Sequence, residues 1–157
     1  MFLVLCSFAL DIESELVRYK AYKQLRSCAE SKIKNMLQEL RFDGIYQYFY
    51  KYPSYCHNIR FYQDRIVIAA SVQAKGNYNP TKNIVKWFNK NCDSISTGNY
   101  TIEGNLIAFS AKNKQSSGFV DWDGKIGINQ IILNSFSHIN GNRANNRKYI
   151  FTPFKTL

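Results

Sequence analysis

The sequence predicts a mainly β fold: an antiparallel up-and-down meander of about eight strands, forming a barrel or half-barrel, with one N-terminal α-helix. Three observations predict it. Residues 98–138 are a series of short apolar segments separated by turn residues rich in Asn and Gly, the pattern of consecutive hairpins. Aromatic residues make up 15% of the chain, and bulky rings pack well on pleated surfaces. No long period recurs, which argues for one meander rather than an array of repeats. With 157 residues the chain can bury a sizeable core, and it divides into an apolar arm and amphipathic helix at 1–41 and a barrel domain at 42–157.

Residues 1–10, MFLVLCSFAL, are apolar, and Ser7-Phe8-Ala9 has the small-x-small form of a signal cleavage site. A positive residue ahead of the run and an apolar core of the usual length are missing, and the run is too short to span a bilayer. Two readings stand. If residues 1–9 are the remnant of a signal, the protein is secreted or periplasmic; if they are an apolar arm packed on the domain, it is cytoplasmic. Residues 11–40 are expected to be helical. Asp11, Glu13 and Glu15 place negative charge where free N–H groups favour it, and Ile12, Leu16, Tyr19, Leu25, Ala29, Ile33, Met36 and Leu40 form an apolar stripe. Arg18, Lys20, Lys23, Arg26, Lys32 and Lys34 occupy the remaining face, diluted by Glu30 and Glu39.

From Phe42 the composition turns to β. Gly44 begins the first strand, which runs to Tyr50 before Pro53 ends it. Ile59 to Tyr62 and Ile66 to Ala70 flank a polar turn at Gln63-Asp64, and 76–80 is a loop. Residues 83–91 are ambiguous: Asn79-Pro80 would start a helix with Ile84 and Phe88 on one side, whereas Val85 and Trp87 alternate as in a strand. A strand is expected, because the neighbours are β. Gly104-Asn105 separates Tyr100 and Ile102 from Ile107 and Phe109 as a tight hairpin. Asp123-Gly124 reads as the next turn, after Val120 and Trp122, and Asn129-Gln130 precedes the run Ile131 to Leu133. Asn140-Gly141-Asn142 then turns the chain into a closing strand containing Tyr149, Ile150 and Phe151.

Gly44-x-Tyr46 resembles the Gly-x-Trp of lipocalins and other calycins, with Tyr in place of Trp. The block Gly98-x-Tyr100-x-Ile102-x-Gly104-Asn105-x-Ile107-x-Phe109 is similar to the central hairpin of bacterial lipocalin-like proteins. The resemblance covers roughly residues 42–154. It implies a barrel that binds a small hydrophobic ligand or a partner protein, and it casts Arg147 as the arginine that packs over the first-strand aromatic.

Catalytic groupings are scarce. There is no G-x-S-x-G elbow and no phosphate-binding loop, and only His57 and His138 are available as imidazole bases, with Cys56 and His138 a pair by arithmetic alone. Asp121 and Asp123 would share one strand face, where turn chemistry and an exposed surface account for them. Cys6, Cys28, Cys56 and Cys92 lack zinc-ligand spacing, so no catalytic residue, metal or cofactor is expected, and reduced thiols are the simpler state. The formal charge of +10 admits an anionic partner, nucleic acid or membrane, through Lys82, Lys86, Trp87, Phe88 and Lys90 or through Arg143, Arg147, Lys148 and Tyr149. An Asn- and Lys-rich composition explains that charge more simply. What remains is the barrel interior. Alternation turns Tyr100, Ile102, Ile107, Phe109, Val120, Trp122 and Phe151 to one side, and the expected ligand-binding set is Tyr46, Tyr100, Ile107, Phe109, Trp122 and Phe151.

Overall fold

Period-two alternation governs the chain from Gly44 onward, and eight strands result: β1 Gly44–Phe49, β2 Tyr55–Phe61, β3 Ile66–Gln73, β4 Ser96–Glu103, β5 Leu106–Lys112, β6 Phe119–Gly127, β7 Gln130–Ser137 and β8 Arg143–Pro153. The computed structural model describes residues 2–37, 39–51, 55–73, 81–115 and 117–154. Each strand pairs antiparallel with the next, and β1 pairs with β8, so the sheet is a closed barrel in simple up-and-down order. Closure leaves no unpaired sheet edge. The loop expected at 76–80 and the Asn79-Pro80 start lie outside the described residues.

Two compact units divide the chain, residues 1–37 and 38–157. The first is a single helix, α1 Phe2–Leu37, which begins well before the expected Asp11. Leu3, Leu5, Ala9 and Leu10 are good helix formers and no Gly or Pro interrupts them, so the apolar start continues the helix. No described helix is long and apolar enough to cross a membrane. Leu40, expected at the helix end, instead belongs to the barrel core.

Inside the barrel, rings touch from one end to the other. Phe61 sits edge-on to Tyr46, Tyr100 and Phe109 with centroids 5.7, 5.2 and 5.5 Å away, and Phe109 stacks on Trp122 at 4.9 Å. Leu40 and Phe42 pack under this core at the end where β1 begins. There the Arg41 backbone N–H donates to the Tyr46 hydroxyl at 2.9 Å, and its guanidinium lies 4.1 Å from the Phe151 ring centre. That end is plugged.

A second cluster lies on the outer face. Ile45 and Ile68 point away from the interior yet are fully buried, covered by Ile84, Phe88 and Ile95. The cover is helical, α2 Thr81–Trp87, and this corrects the strand expected at 83–91. Ile84 and Phe88, four residues apart, are buried, whereas Val85 is 41% exposed, so the helical period prevails. Arg60 clasps the cover: its guanidinium lies between the rings of Tyr62 and Phe154 at 4.6 and 4.4 Å, and Nη1 donates to the Phe88 carbonyl.

The turn at Gly104-Asn105 forms as expected, with Gly104 at φ 61°, which primed hairpin turns require at their first central position. Asp123-Gly124 is not a turn. β6 runs straight through it, and the chain reverses at Ile128-Asn129, where Asn129 accepts φ 51°. Gly124 is needed for a different reason: a Cβ there would stand 1.9 Å from the Ile132 carbonyl oxygen. Gly124→Ala is therefore expected to separate β6 from β7 and to cost about 1–3 kcal/mol. Denaturant unfolding read by circular dichroism checks this, and an unchanged midpoint would contradict it.

Candidate functional site

At the end opposite the plug, where β1 finishes and β8 begins, the interior is open among the described residues. A cavity of about 410 Å³ lies there, lined among others by Tyr50, His57, Trp122, Ser135, Arg147 and Tyr149. Strand register explains the convergence. His57 lies opposite both Tyr48 and Ser71, Trp122 opposite Ser135, and Val120 opposite Ser137, so their side chains share the inner face. On β8 the register slips between Leu133 and Ser135, which pair with Arg147 and Ala144 respectively. The extra residue is accommodated at Asn146, φ 53°, whose N–H donates to Asn134 Oδ1 at 3.0 Å. This bulge lets Ala144 and Arg147 both line the cavity although they are three apart.

His57 is the most constrained group. Its Nδ1 is 2.9 Å from the Tyr149 hydroxyl, and its ring stacks parallel to Trp122 at 6.0 Å. Burial, and then the charge of Arg147, push its pKa from 6.5 down to about 4, so the imidazole is neutral at pH 7. Arg147 Nη1 donates to the Tyr50 hydroxyl at 2.6 Å, and the guanidinium lies over the Tyr50 and Tyr48 rings at 4.8 and 5.4 Å. The packing over Tyr46 implied by the resemblance does not occur. Tyr46 is further along the barrel, with its hydroxyl bonded to Arg41 and its pKa pushed up to about 12 by burial.

The six residues expected to bind ligand all face inward and are at most 7% exposed. Tyr46, Tyr100, Ile107, Phe109 and Phe151 pack in the core. Of the six, Trp122 alone lines the open-end cavity. Sequence reasoning missed His57, Ser71, Ser135 and Tyr149 as a group. The signal was present: His57 shares the parity of Ile59 and Phe61, and Tyr149 that of Phe151.

The outer surface holds the other chemistry considered. Asp121 Oδ1 accepts from the Ser110 hydroxyl, and its Oδ2 lies 2.7 Å from His138 Nε2, an arrangement that lowers the Asp121 pKa, chiefly through Ser110. Serine and histidine bind opposite oxygens of one carboxylate, so the imidazole is not placed to take the serine proton as a nucleophile–base pair requires. Asp123 accepts from Asn134 Nδ2 at 2.9 Å, which replaces the turn role expected for it. Cys56 does not meet His138. Its thiol is buried between Gln47 and Asn58, and burial pushes its pKa up to about 11. Cys28, Cys56 and Cys92 form no disulfide, and of these Cys28 is exposed. Among the described residues no three His, Cys, Asp or Glu side chains cluster as metal ligands.

A depression of about 590 Å³ on the outer wall, over Leu106, Ala108 and Ile132, is rimmed by Glu103, Asp123 and Lys125. Its charges are mixed and it lies on the outer wall, whereas the open-end cavity gathers inward-facing polar side chains from several strands, and that convergence makes it the stronger site. Compared with protein-family models, characterised proteins and solved structures, the chain matches none.

Proposed function

We propose that the protein is a non-enzymatic, lipocalin-like binding protein that takes one small molecule through the open end of its barrel. One observation carries this: a closed barrel with one plugged end and a filled core keeps a cavity of about 410 Å³ at the other end, where polar side chains converge. Small-molecule sites run from roughly 300 to 1,000 Å³ and pair apolar walls with a few placed polar groups. Trp122 and Val120 supply apolar wall, while His57, Arg147 and the serines supply polar atoms. The reading moves the ligand away from the filled apolar core toward the mouth.

Thermal-shift screening of a small-molecule library, followed by native mass spectrometry of the hits, tests it. One-to-one complexes that perturb the Trp122 environment are the expected result, together with little uptake of a large apolar dye. A library that produces no complex removes the reading.

A second reading rests on α1. Leu16, Val17, Tyr19, Tyr22 and Leu25 are 50–72% exposed, interleaved with Arg18, Lys20, Lys23 and Arg26. The basic side chains suit an anionic membrane surface through charge attraction, to which the exposed apolar side chains around the helix add. Co-sedimentation with vesicles of one-third phosphatidylserine, weakening as salt rises, is the expected outcome. No binding at low salt would eliminate this reading.

A further inference from the structure

We infer that the open-end cavity takes a small organic carboxylate, a monoanion held by the guanidinium of Arg147. This rests on the binding reading above and adds the ligand's charge. Among the described residues, Arg143 and Arg147 line the cavity and no Asp or Glu does. Among the described residues no ion pair joins either arginine to a carboxylate.

Arg147 is positioned by neutral groups instead. The Tyr50 hydroxyl takes one N–H, and the Tyr48 and Tyr50 rings face the cation. Burial raises the pKa of Tyr50 and drives that of Tyr149 far above its ordinary value, so both phenols stay uncharged at neutral pH. A half-buried guanidinium that is oriented but not neutralised is half of a charge-assisted, bidentate contact, and a planar carboxylate completes it.

The remaining lining agrees. Hydroxyls of Ser71, Ser135 and Ser137 can donate to carboxylate oxygens. His57 is neutral and brings no competing charge for the anion to displace. The Trp122 ring stacks on Phe109 and on His57, and ring edges carry positive potential that favours an anion. An anion finds donors on several sides.

The test compares hexanoate with hexanamide, which share shape and differ in charge, with inorganic phosphate as a third probe. Binding is read from the His57 and Trp122 resonances and by calorimetry at pH 7. Hexanoate is expected to bind at least tenfold more tightly than hexanamide and to shift the His57 pKa upward, because it offsets the Arg147 charge. Arg147→Gln should abolish the discrimination and Arg147→Lys should keep part of it. Arg143→Gln, at an exposed rim position, should weaken hexanoate binding by about threefold while leaving the melting profile unchanged, so the inference remains testable if the Arg147 variants fold poorly.

Equal binding of acid and amide, discrimination that survives in Arg147→Gln, or phosphate outcompeting hexanoate would overturn the carboxylate assignment. A neutral library compound that shifts the His57 and Trp122 signals while hexanoate does not would overturn it too, yet would leave the binding-protein reading intact. If no compound of either charge shifts them, both fall.

Discussion

Phe61→Ala is expected to lower folding stability by about 3–5 kcal/mol, the largest effect of any single substitution considered for this chain. Phe61 is fully buried, and its ring is the hub that meets Tyr46, Tyr100 and Phe109. Removing it deletes the transfer free energy of the ring and leaves a void that rigid neighbours on three strands cannot close. Phe61→Leu retains most of the volume and should cost far less. Guanidinium unfolding followed by far-ultraviolet circular dichroism measures both. A loss below about 1 kcal/mol for Phe61→Ala would mean that the core relaxes freely. An interior that soft could open for an apolar ligand, and the case for a filled core would weaken.

Acid should act through His57. Its folded pKa of about 4 lies below the ordinary 6.5, so between those values the unfolded chain binds more protons than the folded one. Stability therefore rises with pH across that window. The contribution is complete above about 6.5 and is lost as pH falls toward 4, a change of about 3 kcal/mol at 1.36 kcal/mol per unit. The groups facing His57 are Tyr149, Trp122, Tyr48, Ser71 and Arg147, and none is an acid that could stabilise an imidazolium. Asp64, Asp93 and Asp121 have pKa values lowered by their partners, so they titrate below the usual carboxylate range. In His57→Gln the slope between pH 6.5 and 4 should flatten relative to the parent. An identical slope in the two proteins would contradict the burial of this imidazole.

The readable parts of the sequence were those decided locally. Gly104-Asn105 marks a hairpin by backbone geometry alone, and Tyr100 opposite Phe109 and Ile102 opposite Ile107 follow from it. Misread segments were decided by distant partners. Ile84, Val85, Trp87 and Phe88 satisfy both periods, and what selects a helix is the apolar outer face of Ile45 and Ile68 that it covers. Asp123-Gly124 has turn composition, yet Gly124 serves the close approach of β7. The cavity was harder to foresee than either. The inward parity of His57 and Tyr149 is visible one strand at a time, but the two lie 92 residues apart and meet only because β1 pairs with β8. Arg147 meets Tyr48 and Tyr50 rather than Tyr46, since the bulge at Asn146 governs how β8 presents its side chains at the open end.

That pairing of β1 with β8 also sets a clock on synthesis. Gly44 lies opposite Pro153, so the strand emerging first from the ribosome waits for the last. Until β8 is made, the nascent sheet has two raw borders, on β1 and on β7, each able to recruit a strand from a neighbouring chain. Contacts between such distant segments form slowly because a long loop must close first. Crowded polysomes are therefore where this barrel is most vulnerable to mispairing, and whatever shortens the wait for β8 protects it.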